Sequence, residues 1–107
     1  MKRYGQIIKV KSDHLEKYKA LHVNPWPEVT DMITKCNLQN YSIYYWNGYL
    51  FSYFEYVGND FEADMAKMAA DPKTQEWWGE TDPCQEPVEL APEGTWWLNM
   101  EEVFHLD

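Results

Sequence analysis

Long apolar runs are missing from this chain, and nothing in it approaches the ~18–20 apolar residues of a membrane span. Its start, Met1-Lys2-Arg3-Tyr4-Gly5-Gln6, is basic but leads into no apolar segment of the kind a secretory leader carries. The expected location is therefore the cytoplasm. Positive charge is scarce as well: nine Lys and Arg stand against 18 Asp and Glu in 107 residues, a formal net charge of −9. The nine are scattered, which argues against nucleic acid, where clustered cations must neutralise phosphates. The same balance argues against an anionic membrane surface, and more weakly against an anionic substrate. Cysteine is limited to Cys36 and Cys84, with no CxxC and no histidine at ligand spacing, so both are expected as free thiols. The three histidines, His14, His22 and His105, share no metal-ligand spacing, and no metal is expected. There is no Gly-rich phosphate loop, HExxH or GxSxG.

What the chain has in excess is aromatic side chains: six Trp, eight Tyr and four Phe, 17% of its residues. The length suits one domain, residues 1–107, with a thin core that buries roughly 60–70% of the unfolded surface. Such a core cannot hide every ring, so some are expected in a cleft or at a subunit interface.

Tyr4–Val10 reads as a first strand. Ser12-Asp13 offers N-cap oxygens to a helix with Leu15, Tyr18, Leu21 and His22 on one face. Asn24-Pro25-Trp26-Pro27 ends that helix and opens a second, to about Cys36, with Val29, Met32 and Ile33 inward; Asn37–Asn40 closes it. Tyr41–Trp46 and Tyr49–Val57 are the strongest strand signals, joined by the hairpin pair Asn47-Gly48. Asn59-Asp60 caps a helix to Ala70 with Phe61, Met65 and Met68 inward, and Asp71-Pro72 breaks it. A short helix, Lys73–Gly79, follows. Residues 80–94 read as an acidic surface loop, and Trp97–Leu106 as a last strand.

The order β–α(α)–β–β–α(α)–β predicts an α+β, ferredoxin-like split βαβ fold: a four-stranded antiparallel sheet with helices on one face. The other face would carry strand aromatics and need a cover, most simply a second copy. A homodimer is therefore expected.

Tyr18 and His22 stand at i, i+4, so they are neighbours on a helix face. A phenol beside an imidazole can bind a polyol and exchange a proton with it. The plainer alternative is a half-buried Tyr and His completing a helix end. Trp77 and Trp78 differ by ~100° about the helix axis and cannot both face one core, so one is expected at a pocket or interface. An indole beside a Tyr/His pair suits the C–H face of a sugar. Trp96-Trp97 admits the same reading with less support, and the acidic run Glu86–Glu93 reads as a solvated face.

Across nearly its whole length the chain resembles the L-rhamnose mutarotase family. The similar segments are Tyr18-Lys19-Ala20-Leu21-His22 with Trp26-Pro27-Glu28, then Asn40-Tyr41-Ser42-Ile43-Tyr44. Gln75-Glu76-Trp77-Trp78 and Glu101-Glu102-Val103-Phe104-His105-Leu106 complete the set. The resemblance implies a dimeric α/β barrel that interconverts sugar anomers without metal or cofactor. It puts the proton donor on His22 and substrate binding on Tyr18, Tyr41, Trp77 and Trp78. Three features depart from the family: Val23 stands between His22 and Asn24-Pro25, and the acidic loop 83–94 and the Trp96-Trp97 pair look peculiar to this chain. A cofactor-independent oxygenase of the same barrel type and a non-catalytic sugar-binding dimer are the competing expectations.

Overall fold

The computed structural model describes residues 1–107. Strands β1 (Lys2–Val10), β2 (Leu38–Trp46) and β3 (Tyr49–Tyr56) form the body of one antiparallel sheet, with β3 in the middle. Local turn chemistry sets its register. Asn47 and Gly48 have φ of 51° and 88°, the all-positive pair of a type I′ turn, and Trp46 faces Tyr49 across it. Along β3 every second residue is buried: Leu50, Ser52, Phe54 and Tyr56 turn to one face, Tyr49, Phe51, Tyr53 and Glu55 to the other.

All four helices pack on the first face. They are α1 (Leu15–Val23), α2 (Pro27–Lys35), α3 (Phe61–Ala70) and α4 (Pro72–Thr81). Leu15 and Tyr18 of α1 meet Ile8, Val10 and Leu50 in one apolar cluster. Met32 and Ile33 of α2, Phe61, Met65 and Met68 of α3 and Trp78 of α4 gather on Leu38, Phe54 and Tyr56 in another. Asp60 and Asp71 cap α3 and α4, accepting from the backbone N–H of Ala63 and Thr74 at 3.2 and 2.9 Å. Pro27 and Pro72 occupy first turns, where no N–H is missed. Asn37, at φ 68°, closes α2 in the left-handed conformation, its N–H on the Thr34 carbonyl.

Four local expectations are corrected. Ser12 and Asp13 do not cap α1; they form a 3-10 turn, and Asp13 accepts from the ring of its neighbour His14. β2 begins at Leu38, earlier than Tyr41, because a bulge between Gln39 and Ser42, with Asn40 at φ 52°, absorbs one extra residue and keeps the chain paired. The last helix runs on from Gly79 to Thr81 and passes through a 3-10 turn, Asp82–Cys84. The stretch read as a surface loop then supplies β4 (Gln85–Glu86), beside Val10 and Lys9 of β1.

The expected last strand shrinks to β5 (Leu98–Asn99), which continues the same edge of β1 beside Ile7 and Gln6. From Val10 to Ile7 is three steps on β1, whereas from Gln85 to Leu98 is thirteen, so the fourth strand is interrupted by a ten-residue excursion. Residues 101–107 form no strand and are exposed throughout; Arg3 holds them through a two-pronged bond to Glu102.

The outer face of the sheet has no helix. Tyr44, Phe51, Ile7 and Leu98 lie in one row across it, and Tyr44 and Trp46 are among its exposed rings. Only 16 of 107 residues are buried, and ten of them form two clusters of five rather than one continuous core. Residues of both clusters line the large cavity on the helix side, and that gap positions the site.

Candidate active site

Tyr18 and His22 stand one helical turn apart on α1, which ends at Val23 before Asn24-Pro25. The His22 ring folds back on its own helix: Nδ1 lies 2.7 Å from the Tyr18 carbonyl oxygen, and the two rings are 4.4 Å apart. A carbonyl can only accept, so Nδ1 carries a proton in both charge states and Nε2 is the nitrogen that gains or loses one. The Trp77 indole closes the other side, edge-on to His22 at 5.3 Å and to Trp26 at 5.2 Å. These contacts exist because the Asp71 cap and Pro72 start α4 where its first turns pass α2. The imidazole is thus held by its own backbone and a neighbouring ring.

Tyr41 comes from the bulged end of β2. The bulge turns its side chain to the helix side, where its ring lies 5.4 Å from Phe54. Its hydroxyl sits in surroundings dry enough to push its pKa up to about 12, while 39% of the residue stays open to solvent. Burial pushes the Tyr18 hydroxyl further up, with a smaller push from Tyr41. Both phenols therefore stay neutral near neutral pH and act through hydrogen bonds.

A cavity of about 310 Å³ brings together Tyr18, His22, Tyr41, Trp77 and Trp78, the five residues singled out from the sequence. A larger space of about 880 Å³ is lined by the same five. Volumes of this order admit a monosaccharide. The two tryptophans differ as the helix geometry requires. Trp77 is buried against His22 and Trp26, whereas Trp78 is half-buried on the Phe54 cluster, and each presents some surface to the cavity.

Sequence reasoning missed part of the wall. Gln85, 4% exposed, donates through Nε2 to the Tyr18 hydroxyl at 3.2 Å, and its Oε1 accepts from the Trp96 indole N–H at 2.9 Å. A two-residue strand has no periodicity to reveal it; the Trp96-Trp97 pair was the one signal available. Asp82 also lines the small cavity, and burial raises its carboxyl above the usual range. The acidic stretch itself stays outside: Glu86 and Glu89 pair with Lys9, at 3.7 and 3.0 Å. No three His, Cys, Asp or Glu side chains are grouped as a metal ion would require.

A sugar-sized cavity with one orientated imidazole, neutral phenols and indole walls suits proton transfer on an uncharged, hydroxyl-rich molecule. Comparison with known proteins agrees. The family model described as L-rhamnose mutarotase matches residues 3–106. The L-rhamnose mutarotases of Lactiplantibacillus plantarum and Bacillus subtilis are each 32% identical, over 109 and 110 residues, with the whole of both chains aligned. The crystal structure of the L-rhamnose mutarotase of Formosa agariphila superposes with a TM-score of 0.78 over 100% of each chain, at 20% identity, and shares the fold. On an alignment that leaves out only the first two residues and the last, this chain belongs to the L-rhamnose mutarotase family.

Proposed function

We propose that this protein, acting as one unit over residues 1–107, is an isomerase that interconverts the α and β anomers of L-rhamnose by acid–base ring opening. The observation that carries the reading is the Nδ1 bond of His22 to the Tyr18 carbonyl, which leaves Nε2 as the imidazole's one exchangeable nitrogen beside a sugar-sized cavity. In the opening step protonated His22 gives its Nε2 proton to the ring oxygen, and the C1–O5 bond breaks. The anomeric hydroxyl loses its proton to water or through a Tyr hydroxyl, and C1 becomes a carbonyl carbon. Rotation about C1–C2 and the reverse transfers close the other anomer, with no net change in protons. Tyr18 and Tyr41 hold sugar hydroxyls, and Trp77 and Trp78 supply the apolar wall. General acid–base help is worth about 10²–10⁴-fold, enough for a reaction that already proceeds unaided. Proton transfers complete the chemistry, so no step is given to a metal or cofactor. Exchange NMR between the two anomeric protons of L-rhamnose tests the reading: faster exchange with protein supports it, and an unchanged rate overturns it.

The same reading makes the protein a cytoplasmic homodimer. Supporting the dimer are the uncovered row of Tyr44, Phe51, Ile7 and Leu98 and the exposed apolar side chains of the last residues, Val103, Phe104 and Leu106. Supporting the compartment are two unpaired thiols, Cys36 and Cys84, both buried. No helix is long and apolar enough to cross a membrane.

A further inference from the structure

The cavity wall beside His22 contains a hydrogen-bond chain that the ring-opening scheme leaves unused: Trp96 to Gln85 to Tyr18. Its polarity is fixed at one end. An indole N–H can only donate, so the Gln85 atom facing Trp96 is the carbonyl oxygen, and the amide NH₂ must face Tyr18. The Tyr18 oxygen is therefore an acceptor on that side, and its own proton points away from Gln85. Tyr18 and Gln85 are 5% and 4% exposed, so water has little room to compete for either bond. The ten-residue excursion between β4 and β5 is what brings Trp96 back over Gln85, and all three residues line the small cavity.

We propose that Gln85 is a positioning residue which, orientated by Trp96, compels Tyr18 to meet the sugar as a hydrogen-bond donor. This rests on the mutarotase reading. Tyr18 then selects for an acceptor oxygen on the sugar and against a group that must itself donate at that point. The excursion contributes to specificity through the single indole N–H of Trp96.

Gln85→Glu tests the inference, because it keeps the shape and inverts the polarity. When ionised, the introduced carboxylate accepts from both neighbours, so the Tyr18 proton turns back towards it and the cavity meets a lone pair. KM for L-rhamnose should rise by about tenfold, with a smaller change in kcat. When protonated, the introduced carboxyl again donates to Tyr18 and accepts from Trp96, so the ratio of variant to wild-type KM should fall towards one as the pH drops. The other titratable groups lining the cavity are Tyr18, His22, Tyr41 and Asp82, with no Lys or Arg among them to hold the new carboxyl ionised. Gln85→Met frees the Tyr18 hydroxyl to turn and should raise KM without any such recovery. In the sugar-free protein, the ¹⁵N-indole resonance of Trp96 should shift and exchange faster with solvent in Gln85→Met than in wild type. A KM ratio for Gln85→Glu that is raised and flat with pH overturns the inference, as does an indole resonance indifferent to position 85. Wild-type protein that fails to exchange anomers sinks the mutarotase reading instead, and the indole signal still judges the relay.

Discussion

His22 hangs from the carbonyl of Tyr18, 2.7 Å away and one helical turn back, so the two residues named for chemistry share a backbone anchor as well as a cavity. The bond settles the tautomer of the imidazole and leaves one working nitrogen. His22→Ala should lower the anomer-exchange rate by on the order of 10² or more. Affinity for L-rhamnose should stay within a few-fold, since a proton donor acts mainly in the transition state. Exchange NMR across a series of sugar concentrations, with a thermal melt alongside, reads both. A variant as fast as wild type would remove His22 from the mechanism.

The tandem tryptophans should separate by function. Trp77 is 7% exposed and wedged between His22 and Trp26, so Trp77→Ala should cost about 3–5 kcal/mol of stability and loosen the imidazole. Trp78 is half-buried, so Trp78→Ala should cost less stability and chiefly weaken sugar binding. Denaturant titration and a rhamnose titration of each variant decide it. Equal stability losses would contradict the assignment.

Much of this was legible from local chemistry. The Asn47-Gly48 turn, the Asp60 cap and the Asn37 helix end are each specified by residues close in the chain. The i, i+4 spacing of Tyr18 and His22 likewise needs only a helix. Beyond the Ser12-Asp13 cap and the helix ends, what escaped was non-local. Trp97–Leu106 has strand-like residues, but only the free edge of β1 decides how many of them pair, and it accepts two. Gln85 was hidden in an acidic, Pro-rich stretch, since its place in the site depends on β4 pairing and on a tryptophan eleven residues later.

Acid stability should depend on Asp64. Its carboxylate accepts from the hydroxyl of Tyr56 and from Nδ2 of Asn37, and these bonds hold its pKa below the ordinary value. With the folded value lowered, the stabilisation is fully present above the unfolded pKa and fades as pH falls through the folded one. Thermal melts should therefore drop as the pH is lowered below about 4, and Asp64→Asn should flatten that part of the profile while lowering the melting temperature at neutral pH. The site is tight: a Cβ at Gly58 would run into the Tyr56 hydroxyl, so Gly58→Ala should destabilise the same corner. An unchanged acid limb in Asp64→Asn would assign it to other carboxylates.

The outer sheet face supplies the last test. Phe51 lies between Tyr44 and Ile7 in the uncovered row and points away from the cavity, so a charge placed there strikes the proposed dimer interface and spares the site. The wild-type chain should sediment at twice 12.8 kDa at micromolar concentration, and Phe51→Glu should shift it towards 12.8 kDa. Phe104 offers a second probe, since it is 78% exposed in a terminal segment that only Glu102 ties down through its side chain. If that segment reaches across to a partner, Phe104→Asp should weaken the dimer as well, with the helix-side core untouched. Sedimentation velocity across a concentration series reads both variants. A wild-type monomer at micromolar concentration would overturn the dimer and leave the acid–base chemistry, which uses residues of one chain, standing on its own test.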